Sequence, residues 1–288
     1  MTTGESSVVI DDMDVKEEAG AATNQVSEDD HPQYLPQPAD LGFCLLHDMD
    51  QNQVLMWLRR QCSAGSYGYV VTPNIDHVQR LYTLSQQSSL VKLYRGAALS
   101  LCDSRILQKL LAVTGHKAPA VVTGSGLTAQ MFESFLTPRD NIVIIGGSDR
   151  LISRLREMYP QLQIAHRNPT MGFINKPDEI ESLVAFCHDA RSDFIFLAVG
   201  SPQQELLAER LGNVLERGTA LCIGASLHFI VGEEQRAPAW MQNLSCEWLY
   251  RLLVNPRRLA GRYFSNFCHL WPLAKRLRQV SRADQAAV

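Results

Sequence analysis

Apolar positions along this chain fall into two alternating rhythms: short runs of hydrophobic residues, and longer stretches with hydrophobic side chains three and four apart. The first clear run, 67–72, breaks at Pro73-Asn74, because the residue before a proline is driven to extended backbone. The spacing after it predicts a helix from 75 to about 86, and a second unit runs over 90–101. Asp103-Ser104 then reads as the N-cap of a helix over 105–113. The pattern continues as a strand 120–124, a helix near 127–136, a strand 141–145, a helix near 149–158 and a short strand 161–166. After these come a helix 177–190, a strand 193–199, a helix 203–216 and a strand 220–223, with no internal repeat. Strands alternating with helices in this way predict an α/β fold, a mostly parallel Rossmann-like sheet with helices on both faces.

Both ends depart from that rhythm. The first forty residues carry Asp11, Asp12, Asp14, Glu17, Glu18, Glu28, Asp29 and Asp30, followed by Pro32, Pro36 and Pro38, too little apolar surface to offset the entropy of ordering. Residues 1–40 are therefore expected to form a disordered acidic arm, either a solvating leader or a strap for the basic tail. From residue 251 the cations are Arg251, Arg257, Arg258, Arg262, Lys275, Arg276, Arg278 and Arg282, against the single acid Asp284, in a chain of net charge −3. Trp248, Tyr250 and Tyr263 interleave with them. Guanidinium forks suit phosphate and amphipathic rings suit a membrane boundary, although a solvated helix face has the same composition. Phe264, Phe267, Leu270, Trp271, Leu273, Ala274 and Leu277 gather mostly on one helical face, with Pro272 interrupting or starting that helix. Such a helix lies in an interface or packs on the body. The expected organisation is the arm 1–40, an α/β domain 41–245 and a basic helical C-terminal appendage 246–288.

With 288 residues and 45% hydrophobic content the chain is globular, and no run approaches the roughly 20 apolar residues that cross a bilayer. A basic segment followed by an apolar one is absent from the N-terminus, so no export signal is expected. Seven scattered cysteines without CxxC spacing suit reduced thiols of a cytosolic protein. Eight histidines without HxxxH or Cys/His spacing give no zinc site.

In open parallel sheets ligands sit beyond the carboxyl ends of the strands, so the loops there are the candidates. Thr72-Pro73-Asn74-Ile75-Asp76 offers a hydroxyl, an amide and a carboxylate, or simply a turn with an Asn cap. Gly200-Ser201-Pro202-Gln203-Gln204-Glu205 joins a strand to a helix start, whose N–H groups and partial positive charge suit a diphosphate. Asp103 is either an N-cap or a general base. Gly124-Ser125-Gly126-Leu127-Thr128-Ala129 matches the relaxed dinucleotide fingerprint, but the acid expected at the next strand end is missing, since Ile145 leads into Gly146-Gly147-Ser148. Ser125 lacks the GxSxG elbow because position 123 is Thr, and there is no Walker loop.

Taken in order, Thr72-Pro73-Asn74 with Asp76, Asp103, Val122-Thr123-Gly124-Ser125, Gly200-Ser201-Pro202-Gln203-Gln204-Glu205, Gly224-Ala225-Ser226, Arg236-Ala237-Pro238-Ala239-Trp240 and Glu247-Trp248-Leu249-Tyr250-Arg251-Leu252 form a series. This series resembles the WecG/TagA/CpsF glycosyltransferases, glycosyltransferase family 26, over about 65–264. The resemblance implies metal-independent, inverting transfer from a UDP-sugar donor to a polyprenyl-diphosphate-linked saccharide, without a cofactor, at the inner face of the cytoplasmic membrane. No nucleic-acid partner is implied, and self-association is within the family's range.

Asp103-Ser104-Arg105-Ile106-Leu107 and Gly224-Ala225-Ser226 look like the exopolysaccharide branch that includes the xanthan-type glucosyltransferase, which puts glucose ahead of an N-acetylmannosamine-type donor. By motif position Asp103 would be the catalytic base, and Thr72 and Asn74 would hold sugar or acceptor. Ser201 and Gln204, with Gly200, Glu205, Gly124, Ser125 and Arg236, would form the donor pocket. Arg251, Arg257, Arg258 and Arg262 match a basic appendage over the lipid diphosphate. The chain departs from the pattern at Val121, Gly126 and His228, where members often have Arg, Asp and Asp. A doubly wound oxidoreductase and an inactive membrane-associated scaffold remain as alternatives.

Overall fold

A six-stranded parallel sheet carries the fold in a computed structural model that describes residues 35–286, apart from 236, 239–240, 242–246 and 255. The side chains of 247–248, 251, 258–259, 262–263, 265–266 and 283–286 are also outside the description. A two-residue antiparallel pair, β1 (Ala39–Asp40) and β2 (Leu45–Leu46), precedes the sheet. The sheet comprises β3 (Tyr67–Val71), β4 (Leu99–Ser100), β5 (Ile142–Gly146), β6 (Ile164–Arg167), β7 (Phe194–Ala198) and β8 (Gly218–Cys222), in the order β4-β3-β8-β7-β5-β6.

Because successive side chains of a strand point to opposite faces, each apolar run feeds two cores. Val143, Ile145, Ile195 and Leu197 enter one; Ile142, Ile144, Phe194 and Phe196 enter the other. The first core is covered by α2 (Ile75–Tyr82), α3 (Ser89–Arg95), α4 (Arg105–Val113), α7 (Pro177–Asp189) and α8 (Gln203–Gly212). The second lies under α1 (Gln51–Ala64), α5 (Gly124–Gln130), α6 (Asp149–Met158) and α9 (Ser226–Ile230). The expected doubly covered parallel sheet is the architecture observed.

Several local differences have identifiable causes. The apolar run 120–124 makes only a single bridge, Cys102 to Val121, instead of a strand. The chain turns helical at Gly124 because Thr123 Oγ1 accepts the Gly126 N–H at 3.0 Å and caps α5. The helix expected over 203–216 ends at Gly212, where a Cβ would stand 2.8 Å from the Tyr67 ring, so β3 packs directly on the helix end. Helix α1, whose ends are set by an Asp50 capping box and a left-handed Gly65, was not foreseen.

The chain ends in α10 (Glu247–Val254) and α11 (Pro256–Ala286). Pro272 neither starts nor interrupts α11: the helix continues through it. The carbonyl left without its intrahelical donor belongs to Cys268, an exposed residue, so water can serve it. The single apolar face expected here is in fact two edges. Leu273 and Leu277 are fully buried in the first core, and Ser281 Oγ donates to the Gly115 carbonyl at 2.9 Å. Phe264, Phe267 and Trp271 are about three-quarters exposed, at 72%, 75% and 75%. No helix among the described residues is long and apolar enough to cross a membrane.

Candidate active site

Helices α2 and α8 leave β3 and β7 over the first core, whereas α9 leaves β8, the strand between them, over the second. Diverging crossovers open a crevice at the carboxyl ends of these strands. The turns 72–74, 200–202 and 224–226 all border it.

Beyond β4 the ladder continues as single bonds: Leu101 N–H donates to the Val71 carbonyl at 2.9 Å and Asp103 N–H to the Pro73 carbonyl at 3.0 Å. Asp103 is thus fastened, half-buried, to the turn that carries Thr72 and Asn74. Ser104 caps α4, its Oγ accepting the Leu107 N–H at 3.2 Å. Of the two fates open to Asp103 in the sequence, the cap therefore belongs to its neighbour.

Asn74 does cap α2: its Oδ1 accepts the N–H groups of Asp76 and His77 at 3.0 and 3.2 Å. With that oxygen committed to the backbone, hydrogen bonding to a ligand falls to the amide nitrogen. Thr72 is half-buried against Gly124, where a Cβ would stand 3.0 Å from Thr72 Oγ1 and 3.7 Å from Ser226 Oγ. A larger residue at 124 would press on the Thr72 hydroxyl. Ser125 lies half-buried in the first turn of α5.

On the β7 side, Gly200 has φ +79°, a left-handed conformation that glycine adopts without strain. The Gln204 N–H turns back onto the Gly200 carbonyl at 2.9 Å, so this amide of the helix start is already paired. Ser201 Oγ accepts from Arg80 at 2.6 Å. Gln204 and Glu205 point inward rather than into the open crevice, 4% and 1% exposed. The Gln204 amide bridges two elements, accepting the Gly224 N–H at 2.9 Å and donating to Glu205 Oε1 at 3.0 Å. Tyr94 of α3 donates to the same Glu205 oxygen at 2.9 Å, and burial pushes its phenol well above the usual range. Glu205 Oε2 and Arg80 Nε are buried with no hydrogen-bond partner among the described residues. A network left incomplete in this way is costly and concentrates where function overrides packing.

This polar layer of His77, Arg80, Tyr94 and Glu205 supports the candidate loops, and of its members only Glu205 was singled out from sequence. A usable signal was His77 itself, which stands at the third helical position after the Asn74 cap, where a capping box places its second member. A second omission was an Asp-x-Asp run. Asp48-Met49-Asp50 has that spacing, and protein groups engage both carboxylates: Asp50 caps α1, while Asp48 accepts the Ala120 N–H and pairs with Lys117, each at 2.9 Å.

The departures from the resembled pattern are accommodated locally. A Cβ at Gly126 would stand 2.7 Å from Thr123 Oγ1, so the α5 cap excludes a larger residue in this backbone. Val121 packs against the first core, and His228 Nδ1 pairs with Glu233 at 2.8 Å. Arg236 lies outside the described residues, as do the arm residues 1–34 and the side chains of Arg251, Arg258 and Arg262. Arg257 is exposed on α11.

The crevice therefore assembles a half-buried carboxylate, a hydroxyl, a capping amide and glycine-rich turns opposite them. Such a set can take a proton from a hydroxyl and receive an anionic leaving group. A separate cavity of about 490 Å³ opens between α7 and α8, lined by Ile180, Val184 and Val214 among others, and contains none of these residues.

Among families, the one described as the Glycosyl transferase WecG/TagA/CpsF family matches residues 40–283. Among individual proteins, the chain is similar to an N-acetylglucosaminyldiphosphoundecaprenol N-acetyl-beta-D-mannosaminyltransferase of Staphylococcus aureus strain NCTC 8325 / PS 47. The two are 25% identical over 226 residues, 75% of this chain and 83% of that protein. The protein of the same description from strain MRSA252 is 31% identical over 129 residues, 45% and 48% of the two chains.

Proposed function

Since this chain belongs to the WecG/TagA/CpsF glycosyl transferase family and is a hexosyltransferase, we propose that it moves a sugar from a UDP-sugar to a polyprenyl-diphosphate-linked saccharide with inversion and without a metal. The observation that carries this reading is the attachment of Asp103 to the turn bearing Thr72 and Asn74. In the proposed step the acceptor hydroxyl loses its proton to the Asp103 carboxylate as its oxygen bonds to the anomeric carbon. The bond from that carbon to the UDP oxygen breaks, and the electron pair leaves on the diphosphate. Backbone N–H groups of the Gly200 turn and arginines of the tail take up that charge. The polyprenyl-diphosphate acceptor is supported by the reaction named for the S. aureus relatives, which also supports an N-acetylmannosamine-type donor. Glucose is supported by the form of Asp103-Ser104-Arg105-Ile106-Leu107 and Gly224-Ala225-Ser226.

A donor screen tests the proposal. Detergent-solubilised protein is incubated with a polyprenyl-diphosphate-linked saccharide and, in turn, with UDP-glucose, UDP-glucuronic acid and the UDP-mannosamine derivatives. Release of UDP together with a labelled lipid product from one donor is expected. Folded protein that turns over none of them, while binding NADH indifferently to UDP, would overturn it.

The same reading places the protein at the inner face of the cytoplasmic membrane, attached by the outward edge of α11. Phe264, Phe267 and Trp271 recur at steps of three and four, and Lys275, Arg278 and Arg282 continue those steps, all exposed. Aromatic rings flanked by cations favour an anionic lipid surface. Replacing the three aromatic residues by Ser is expected to weaken sedimentation with anionic vesicles about tenfold or more while leaving the melting temperature unchanged. Unchanged partition would reject attachment through this edge.

A further inference from the structure

One imidazole ring closes the turn on which the proposed chemistry depends. The His77 Nδ1 accepts the Asn74 N–H at 3.3 Å, and the ring also hydrogen-bonds the Thr72 carbonyl. The Asn74 side chain answers by accepting the His77 N–H at 3.2 Å, so residue and turn are tied reciprocally. Pro73, between them, accepts the Asp103 N–H at 3.0 Å. Thr72, Asn74 and Asp103 therefore share one mechanical support. We propose that His77, held neutral with its proton on Nε2, is a positioning residue that keeps this turn and Asp103 in register, so that taking up a proton disengages them.

Donor and acceptor counting makes this a switch rather than a mere brace. A neutral imidazole has one nitrogen with a lone pair; a protonated one has N–H on both. Protonated Nδ1 would face the Asn74 N–H, donor against donor, in a half-buried turn. The ring packs 6.1 Å from that of Tyr94 on α3. The charged groups within reach are Glu205 of α8 and Asp76 of α2, which favour the proton, and Arg80 of α2, which opposes it. Burial outweighs them and holds the ring's pKa below its ordinary 6.5. A folded pKa below the unfolded one gives stability that is present above about pH 6.5 and is lost as pH falls towards the folded value. His47 has a pKa displaced in the same direction by burial, with Nδ1 accepting the Ser100 N–H at 3.2 Å, and contributes a similar slope of its own.

This inference rests on the transferase reading for its activity readout and is independent of it for the other. The pH profile of kcat/KM is measured from pH 5 to 8 for the wild type, His77→Asn and His77→Phe. In parallel, the melting temperature is followed over the same range. Asn offers a non-titrating acceptor near the position of Nδ1; Phe keeps the ring and removes the acceptor. His77→Asn is expected to keep most of the activity at neutral pH and to lose the acid inflection that the wild type owes to the ring. His77→Phe is expected to lose about tenfold or more in kcat with little change in KM, as misplacement of a reacting group does. The melting temperature of both variants should depend less steeply on pH between about 6.5 and 5, the remainder coming from His47.

Persistence of the wild-type inflection in His77→Asn, or wild-type turnover in His77→Phe, would overturn the proposal. Should the wild type turn over no donor, the transferase reading fails alone: an unchanged melting slope in His77→Asn then removes the neutral ring, and a reduced slope supports it.

Discussion

Asp103→Asn is expected to reduce kcat about 10²- to 10⁴-fold, the usual contribution of a positioned general base, with UDP affinity and melting temperature close to those of the wild type. The expected neutrality in stability follows from the backbone. Position 103 is held by its own N–H on the Pro73 carbonyl, a bond that Asn retains. The cap of α4 is supplied by Ser104 and is untouched by the change. Asn is nearly isosteric and cannot take the acceptor's proton, so the loss falls on kcat rather than on donor binding. The check is steady-state UDP release alongside UDP titration and thermal unfolding. Turnover within about threefold of the wild type would remove Asp103 as the base, since that is far below the general-base range.

Gln204→Leu is expected to damage both fold and activity. Leucine fills the space but cannot bond, so the Gly224 N–H loses its acceptor and Glu205 Oε1 loses one of two donors. Glu205 is 1% exposed and its Oε2 already has no partner among the described residues. Buried groups left unsatisfied cost about 1–3 kcal/mol each, and more when charged. A destabilisation of about 3 kcal/mol corresponds to a fall of about 6–12 °C in melting temperature for a chain of this size. The Gly224 turn would also drift from the Gly200 turn, and kcat/KM for the donor should fall about 10²-fold, as for a misplacement near the chemistry. Calorimetry and initial rates on the same preparation measure both. A melting temperature within about 2 °C of the wild type would mean that the amide bridge contributes little.

The sheet was legible because its strands are buried on both faces and therefore read as uninterrupted apolar runs. Helix starts were legible where a hydroxyl announces them, as Ser104 does. Reading failed where local composition and tertiary contact disagree. Val121 and Val122 look like a strand, but only Cys102 pairs with this run. Gly124 and Gly126 look like a loop, yet they begin a helix because Thr123 Oγ1 accepts the Gly126 N–H and caps it. The candidate loops could be found from their place after strands. The layer beneath them could not, since Arg80 reaches Ser201 across 121 positions and Tyr94 reaches Glu205 across 111. No local pattern encodes such pairs.

The division of α11 into an inner and an outer edge decides how its role can be examined. Leu273 and Leu277 belong to the same core as Val78 and Leu81 of α2, the helix that Asn74 caps. Cutting the chain before Phe264 would strip that core as well as the outward aromatic residues. A truncated protein that fails to reach vesicles would then have failed for either of two reasons. The helix is keel and hull plank at once, and only changes confined to its wet side can tell anchorage from integrity.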